Sequence, residues 1–311
     1  MAEITINELN KRVLCSATEL INTSEDRYHK YIADIAERVA SDDHIKVVLL
    51  AGPSGSGKTT TANLLADAIS ARGRDSFVVS LDNFYRDSDD KDYPKTEDGT
   101  RDYEAVEALN ISYVEKTLTD IAGGRDFILP RYDFKVGARV EEKLHSKMPH
   151  GCVVIEGLHA LNPKIFSCLA AGNMLKIFIS VSTNVNDNGE RILSGRKIRF
   201  VRRMVRDNLY RGTNAKGTLS MWENVLLGED KYLYPFRDNA DVTIDTFHYF
   251  ELAAMKPFAM KLIDADLAME NEYARTVYEA MNKSAELDEA LVPQNSLIRE
   301  FIPGGIYEAL Y

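Results

Sequence analysis

Cysteine is scarce in this chain. Cys15, Cys152 and Cys168 are all it has, and they form neither a disulfide framework nor a metal-ligand pattern. Cys152 opens an apolar run and reads as a small core residue. No apolar stretch approaches the roughly 20 residues of a membrane span, and the opening MAEITINELNKRV lacks the charged-then-apolar layout of a secretory signal. Positive charge is short as well: 38 lysines and arginines against 48 acids give a net charge of -10. That balance argues against non-specific nucleic-acid binding as the main function. These absences predict a cytoplasmic protein that binds neither nucleic acid nor membrane. Against them stand 45% hydrophobic and 28% charged residues, ordinary for a soluble chain that builds a sizeable core.

The first 40 residues are expected to form two helices. Ile6, Leu9, Val13, Ala17 and Leu20 recur at helical spacing, and Tyr28, Ile32, Ile35 and Val39 do so again. Short β-rich runs then alternate with helical segments: Lys46–Ala51, Ser76–Leu81, Cys152–Glu156, Leu175–Val181 and Asp241–Asp245. Several of these lack polar alternation, as strands covered by helices on both faces do. The order predicts a three-layer α/β fold with a mainly parallel sheet. Asp87–Glu104 is acidic and turn-rich and reads as a surface loop, whereas Phe127–Lys147 reads as a projecting β-hairpin. After about residue 250 the pattern is helical again, ending in IPGG.

GPSGSGKT, Gly52 to Thr59, follows the strand-like KVVLLA and opens a helical segment carrying Leu64, Leu65, Ala68 and Ile69. It matches G-x-x-x-x-G-K-[ST] in full and in the required strand-to-helix context. Such a loop wraps a phosphate with inward-pointing N–H groups, and the helix N-terminus adds partial positive charge. Gly52, Pro53, Ser54, Gly55, Ser56, Gly57, Lys58, Thr59 and Thr60 are therefore assigned to the nucleotide, with Lys58 on the β and γ phosphates and the Thr59 hydroxyl on Mg²⁺. ATP and Mg²⁺ are the expected cofactors.

Ligands gather at the carboxyl ends of parallel strands. Glu156 ends VVIE and is a candidate second metal ligand, the alternative being a solvent-facing carboxylate. Asp82 follows the strand-like VVSL. It either caps a turn or takes the proton of an acceptor hydroxyl as that hydroxyl attacks the γ-phosphate. Phe84 and Tyr85 beside it would wall the acceptor.

The set GPSGSGKTTT, SLDNFYRD, RYDF, VVIEGLHALN and RRMVRD, in this order, resembles the uridine kinase and phosphoribulokinase family of P-loop kinases. The resemblance implies a kinase of a small hydroxylated acceptor, most simply a nucleoside, with Asp82 as catalytic aspartate and Tyr132 and Phe134 lining the nucleoside site. Two positions depart from the uridine kinase pattern: Asn110 stands where a ribose-binding aspartate is expected, and Gly137 where a base-reading histidine is expected. Kinases of another sugar or of a hydroxy acid therefore remain in play. A broad base tolerance also fits, since Gly137 offers no side chain and leaves space.

Arg191 to Arg211 carries eight lysines and arginines against the single acid Asp207. Ile198, Val201, Val205 and Leu209 form an apolar stripe, so the arginines are expected to project from the other faces. RRMVRD resembles the family's lid over the triphosphate, which makes Arg203 and Arg206 candidates for stabilising the transferring phosphoryl group. Arg211 joins the acceptor-binding set, and Gly212 ends the helix as a hinge. A nucleotide-switched regulator would carry Asn-Lys-x-Asp, whereas Asn282-Lys283-Ser284-Ala285 lacks the aspartate. Leu193-Ser194-Gly195-Arg196 is only a fragment of a transporter-ATPase signature. The expected division is a helical extension over 1–44, a kinase domain over 45–250 and a helical extension over 251–311 packed on it. A homo-oligomer is left open.

Overall fold

The computed structural model describes residues 2–96, 99–133 and 136–310. Its first half runs β1 (Glu3–Thr5), α1 (Ile6–Ala40), β2 (Val47–Ala51), α2 (Lys58–Ser70), β3 (Ser76–Ser80), α3 (Ile111–Ala122), β4 (Phe127–Asp133), β5 (Ala138–His145) and β6 (Cys152–Glu156). The second half runs α4 (Pro163–Phe166), β7 (Met174–Ser180), β8 (Asn184–Asp187), β9 (Glu190–Leu193), α5 (Gly195–Arg211), α6 (Ala215–Tyr232), β10 (Val242–Asp245), α7 (Glu251–Leu262), α8 (Ala265–Glu270) and α9 (Glu272–Lys283).

All five β-rich runs of the sequence become one parallel sheet in the order β10-β7-β2-β6-β3. Central β2 shows why the runs lack polar alternation. Val48 and Leu50 point into a core shared with α1, α2 and α5, whereas Val47, Leu49 and Ala51 point into a second core with α3. The fold is thus a three-layer α/β arrangement, and each valine or leucine so buried contributes on the order of 1.5–3 kcal/mol. Because the strands are parallel, their carboxyl ends share one edge. Register sharpens this, since Leu50 and Ser80 both pair across to Glu156. The loop after β2, the turn after β3 and the last residue of β6 are therefore neighbours by construction.

The two N-terminal helices of the sequence reading are one 35-residue run, broken only at Ser16 (φ -156°, ψ 54°). Thr5 caps it by accepting from the Glu8 N–H, and its apolar face turns to α2, where Tyr28 Oη donates to Thr61 Oγ1 at 2.8 Å. The expected hairpin is present as antiparallel β4–β5, with a register shift between Arg131 and Tyr132. A small sheet of order β1-β8-β9 was not anticipated. Beyond α9, a 3₁₀ turn at Leu297–Glu300 carries Leu297 and Ile298 into the core with Phe301 and Ile302, all four without solvent exposure. No helix among the described residues is long and apolar enough to cross a membrane.

Candidate active site

The loop from Gly52 to Gly57 bends on positive φ angles at Gly55 (71°) and Gly57 (91°). A side chain is excluded at both positions on two grounds. The left-handed backbone disfavours it, and an added Cβ would lie 2.7 Å from the Arg199 carbonyl oxygen at Gly55 and 2.6 Å from Leu297 Cδ1 at Gly57. Gly57 precedes α2 without a side-chain cap, so the residue before the helix satisfies none of its first N–H groups through a side chain. Lys58 Nζ donates to the Pro53 carbonyl at 3.2 Å.

The basic helix α5 departs from expectation. Arg199 and Arg202 do not project into solvent but are fully buried, while Leu209, assigned to the apolar stripe, is 39% exposed. The reason is a set of buried counter-charges from elsewhere in the chain. Arg199 makes two 2.8 Å bonds to the Glu229 carboxylate. Arg202 pairs with Glu251 at 2.5 Å and donates to the Thr246 carbonyl at 2.8 Å. Both also hold the phosphate loop: Arg199 donates to the Ser54 carbonyl at 2.8 Å, and Arg202 to the Gly55 and Ser56 carbonyls at 3.3 and 3.4 Å. Glu229 Oε1 accepts from the Ser54 N–H at 2.9 Å. These two arginines are scaffold for the loop.

Arg203 and Arg206 sit differently. Arg203 Nη1 donates to Ser54 Oγ at 2.8 Å, and burial lowers its pKa. Arg206 donates twice to Asp207 Oδ1, at 2.9 and 2.8 Å, and lies 3.7 Å from Glu300. Exposed Arg211 ends the helix, 3.6 Å from Asp207. Gly212 follows it with φ 66°, the left-handed cap that ends many helices.

Asp82 lies in the 3₁₀ turn Leu81–Phe84 at the end of β3. Solvent reaches its side chain, but the protein crowded around it raises its pKa, with Lys58 and Arg211 opposing the rise. Glu156 is 6% exposed; it does not face solvent. Desolvation and the charge of Asp82 raise its pKa, against Lys58 and a hydrogen bond with Ser80. Lys58 thus draws on both carboxyls, and Asp82 opposes the charge of Glu156, at the strand ends. Hard oxygen donors of this kind suit Mg²⁺, which also keeps waters and phosphate oxygens as ligands.

Beside Asp82 stands an aromatic wall. Tyr85 packs against Tyr132 with ring centroids 5.7 Å apart, and the Asn83 side chain accepts from the Tyr132 N–H at 3.3 Å, which ties the hairpin to the turn. Phe134 lies outside the described residues. The acidic loop adds two rings that the sequence reading did not assign: Tyr85 Oη donates to the Tyr103 carbonyl at 2.9 Å, and Tyr103 packs edge-on to Tyr93 at 5.5 Å. Asn110 caps α3, its Oδ1 accepting from the Tyr113 N–H and the Ser112 hydroxyl. Gly137 does not leave open space. It turns at φ 71°, and a Cβ there would meet Ser88 Oγ at 2.7 Å.

Four acids were missed because nothing in sequence marks them. Glu229, Glu251 and Glu300 sit in ordinary helical text, and Glu104 ends a loop. Glu104 and Arg203 line a cavity of about 570 Å³ with Arg101, Tyr103 and Lys231. Burial pushes the Glu104 carboxyl up to about 7, against the pull of Arg203.

Residues 47–253 match the model of the phosphoribulokinase / uridine kinase family. Uridine kinase of Saccharomyces cerevisiae is 28% identical over 199 residues, 64% of this chain but 36% of that protein's length. Uridine kinase of Lactobacillus helveticus is 28% identical over 204 residues, covering 64% of this chain and 85% of that protein. Uridine-cytidine kinase B of Dictyostelium discoideum is 26% identical over 202 residues, 65% of this chain and 74% of that one. With the family model matched over most of its length, this chain belongs to the phosphoribulokinase / uridine kinase family.

Proposed function

We propose that the protein is an ATP- and Mg²⁺-dependent kinase that transfers the γ-phosphate to a hydroxyl of a small metabolite, most simply a nucleoside. The observation that carries this reading is the place of Asp82 in the turn that ends β3, on the same strand-end edge from which the phosphate loop leaves β2, a carboxylate on the edge that also carries Lys58. Asp82 takes the proton of the acceptor hydroxyl, the oxygen attacks the γ-phosphorus, and the bond to ADP breaks. Lys58 and Arg203 stabilise the charge on the phosphoryl oxygens. The loop backbone from Gly52 to Thr60 would hold the triphosphate, and Thr59 and Glu156 the Mg²⁺, which would neutralise charge on the phosphates.

Tyr85, Tyr103 and Tyr132 favour a flat ring in the acceptor, because aromatic faces give contact area without requiring one hydrogen-bond pattern. Ser88, against Gly137, is the polar side chain nearest the place of a base reader. Asn110 has its oxygen engaged in the cap of α3 and keeps its NH₂ to meet a hydroxyl. That weaker ribose grip favours a high KM and keeps a second reading alive, the phosphorylation of another sugar or a hydroxy acid. ADP release from ATP across nucleosides, pentose phosphates and hydroxy acids tests both. Turnover confined to nucleosides supports the first reading, and turnover on a sugar or hydroxy acid alone replaces it with the second.

A further inference from the structure

Glu300 lies outside the family-matched stretch 47–253, yet its carboxylate rests on the phosphate loop's helix. Its Oε2 accepts from the Thr60 N–H at 3.2 Å and the Thr60 hydroxyl at 3.0 Å, and its Oε1 lies 3.7 Å from Arg206 Nη1. Thr60 is the third residue of α2, so this N–H belongs to the donors that such a helix start presents to phosphate. An N–H, a hydroxyl and a guanidinium around two anionic oxygens are the surroundings a nucleotide phosphate would find. Glu300 is 3% exposed, and its turn is sealed by Leu297 against Gly57. The Arg202 guanidinium stacks over Phe301, 5.1 Å from its ring centroid.

We propose that Glu300 is a residue of the nucleotide site that stands in for a phosphate and must be displaced before a triphosphate can seat. The inference rests on the reading of Gly52–Thr60 as a triphosphate cradle. Charge is the core of it. A carboxylate buried among apolar side chains is costly without partners, and a neutral glutamine would satisfy the Thr60 donors as well. What the charge adds is occupancy of an anion site, and with it competition against an anionic ligand. The turn's backbone is tied down on both sides of Glu300, because Arg299 donates to the Glu289 and Val292 carbonyls at 2.8 and 2.6 Å and Phe301 packs under the Arg202 guanidinium. The part that moves is the Glu300 side chain, which takes one of two carboxylates away from Arg206 and leaves its bonds to Asp207 in place.

The test is equilibrium binding of ATP and of inorganic pyrophosphate to wild type, Glu300→Gln and Glu300→Ala, with thermal melting of each to confirm folding. Glu300→Gln keeps the shape and the acceptor for Thr60 but removes the charge. It is expected to tighten both ligands by roughly tenfold, with Glu300→Ala in the same direction. Unchanged or weaker binding by Glu300→Gln, in a protein whose wild type binds ATP, overturns this inference and leaves the cradle reading intact. Failure of wild type and both variants to bind either ligand defeats the cradle reading and the inference together.

Discussion

Arg199 and Glu229 form a fully buried two-bond pair that grips both polar backbone groups of Ser54, the guanidinium on its carbonyl and the carboxylate on its N–H. The phosphate loop is therefore shaped partly by its own glycines and partly by an ion pair brought from α5 and α6. Glu229→Ala leaves Arg199 buried without its counter-charge, which costs about 3–5 kcal/mol in comparable cases. A large drop in melting temperature is expected, together with weaker ATP binding at temperatures where the variant is still folded. Near wild-type melting and affinity would show that the loop holds its shape without the pair.

Arg206 is expected to act late. In this structure it donates to Asp207, and the proposed withdrawal of Glu300 would take away a second carboxylate that lies 3.7 Å from it. Arg206→Ala should lower kcat more than it raises the KM for ATP, because its contact strengthens in the transition state. Steady-state kinetics separate the two effects. A raised KM with kcat intact would make Arg206 a ground-state phosphate contact.

Glu104 gives a pH prediction. Burial pushes its carboxyl up to about 7 in the folded protein from an ordinary value of 4.5, so between these values the folded state holds more protons than the unfolded one. Stability then falls as pH rises from about 4.5 through 7, where the group must ionise in its buried place. Glu104→Gln removes that contribution. Denaturant unfolding at pH 4.5 and pH 8 should show the variant gaining stability relative to wild type at the higher pH. An equal difference at both would mean that Glu104 does not titrate in this range.

Much of this arrangement is legible in the residues themselves. VVLLA and CVVIE read as strands because helices cover both their faces, and GPSGSGKT fixes the loop because only its spacing and glycines bend a chain around phosphate. Asp82 and Glu156 follow from their places at strand ends. The rest depends on long-range pairing. Arg199, Arg202 and Arg203 look alike in sequence, and Glu229 and Glu251, far along the chain, are the partners of the two that are fully buried. The strand Asn184–Asp187 has the text NVND, with no apolar run to mark it. Gly137 suggested empty space because Ser88 comes from a different loop. The contact of Glu300 with Thr60 depends on the chain's return across α2, which no local pattern marks.

The central claim is phosphoryl transfer at the phosphate loop with Asp82 as base. Single-turnover transfer of the γ-phosphate from labelled ATP to a nucleoside acceptor, by wild type, Lys58→Ala and Asp82→Asn, tests it most directly. The account predicts transfer by wild type, loss of ATP binding and transfer in Lys58→Ala, and retained ATP binding in Asp82→Asn with transfer slowed by about 10²-fold or more. Wild-type transfer rates in Asp82→Asn, or ATP-dependent transfer surviving in Lys58→Ala, would contradict it.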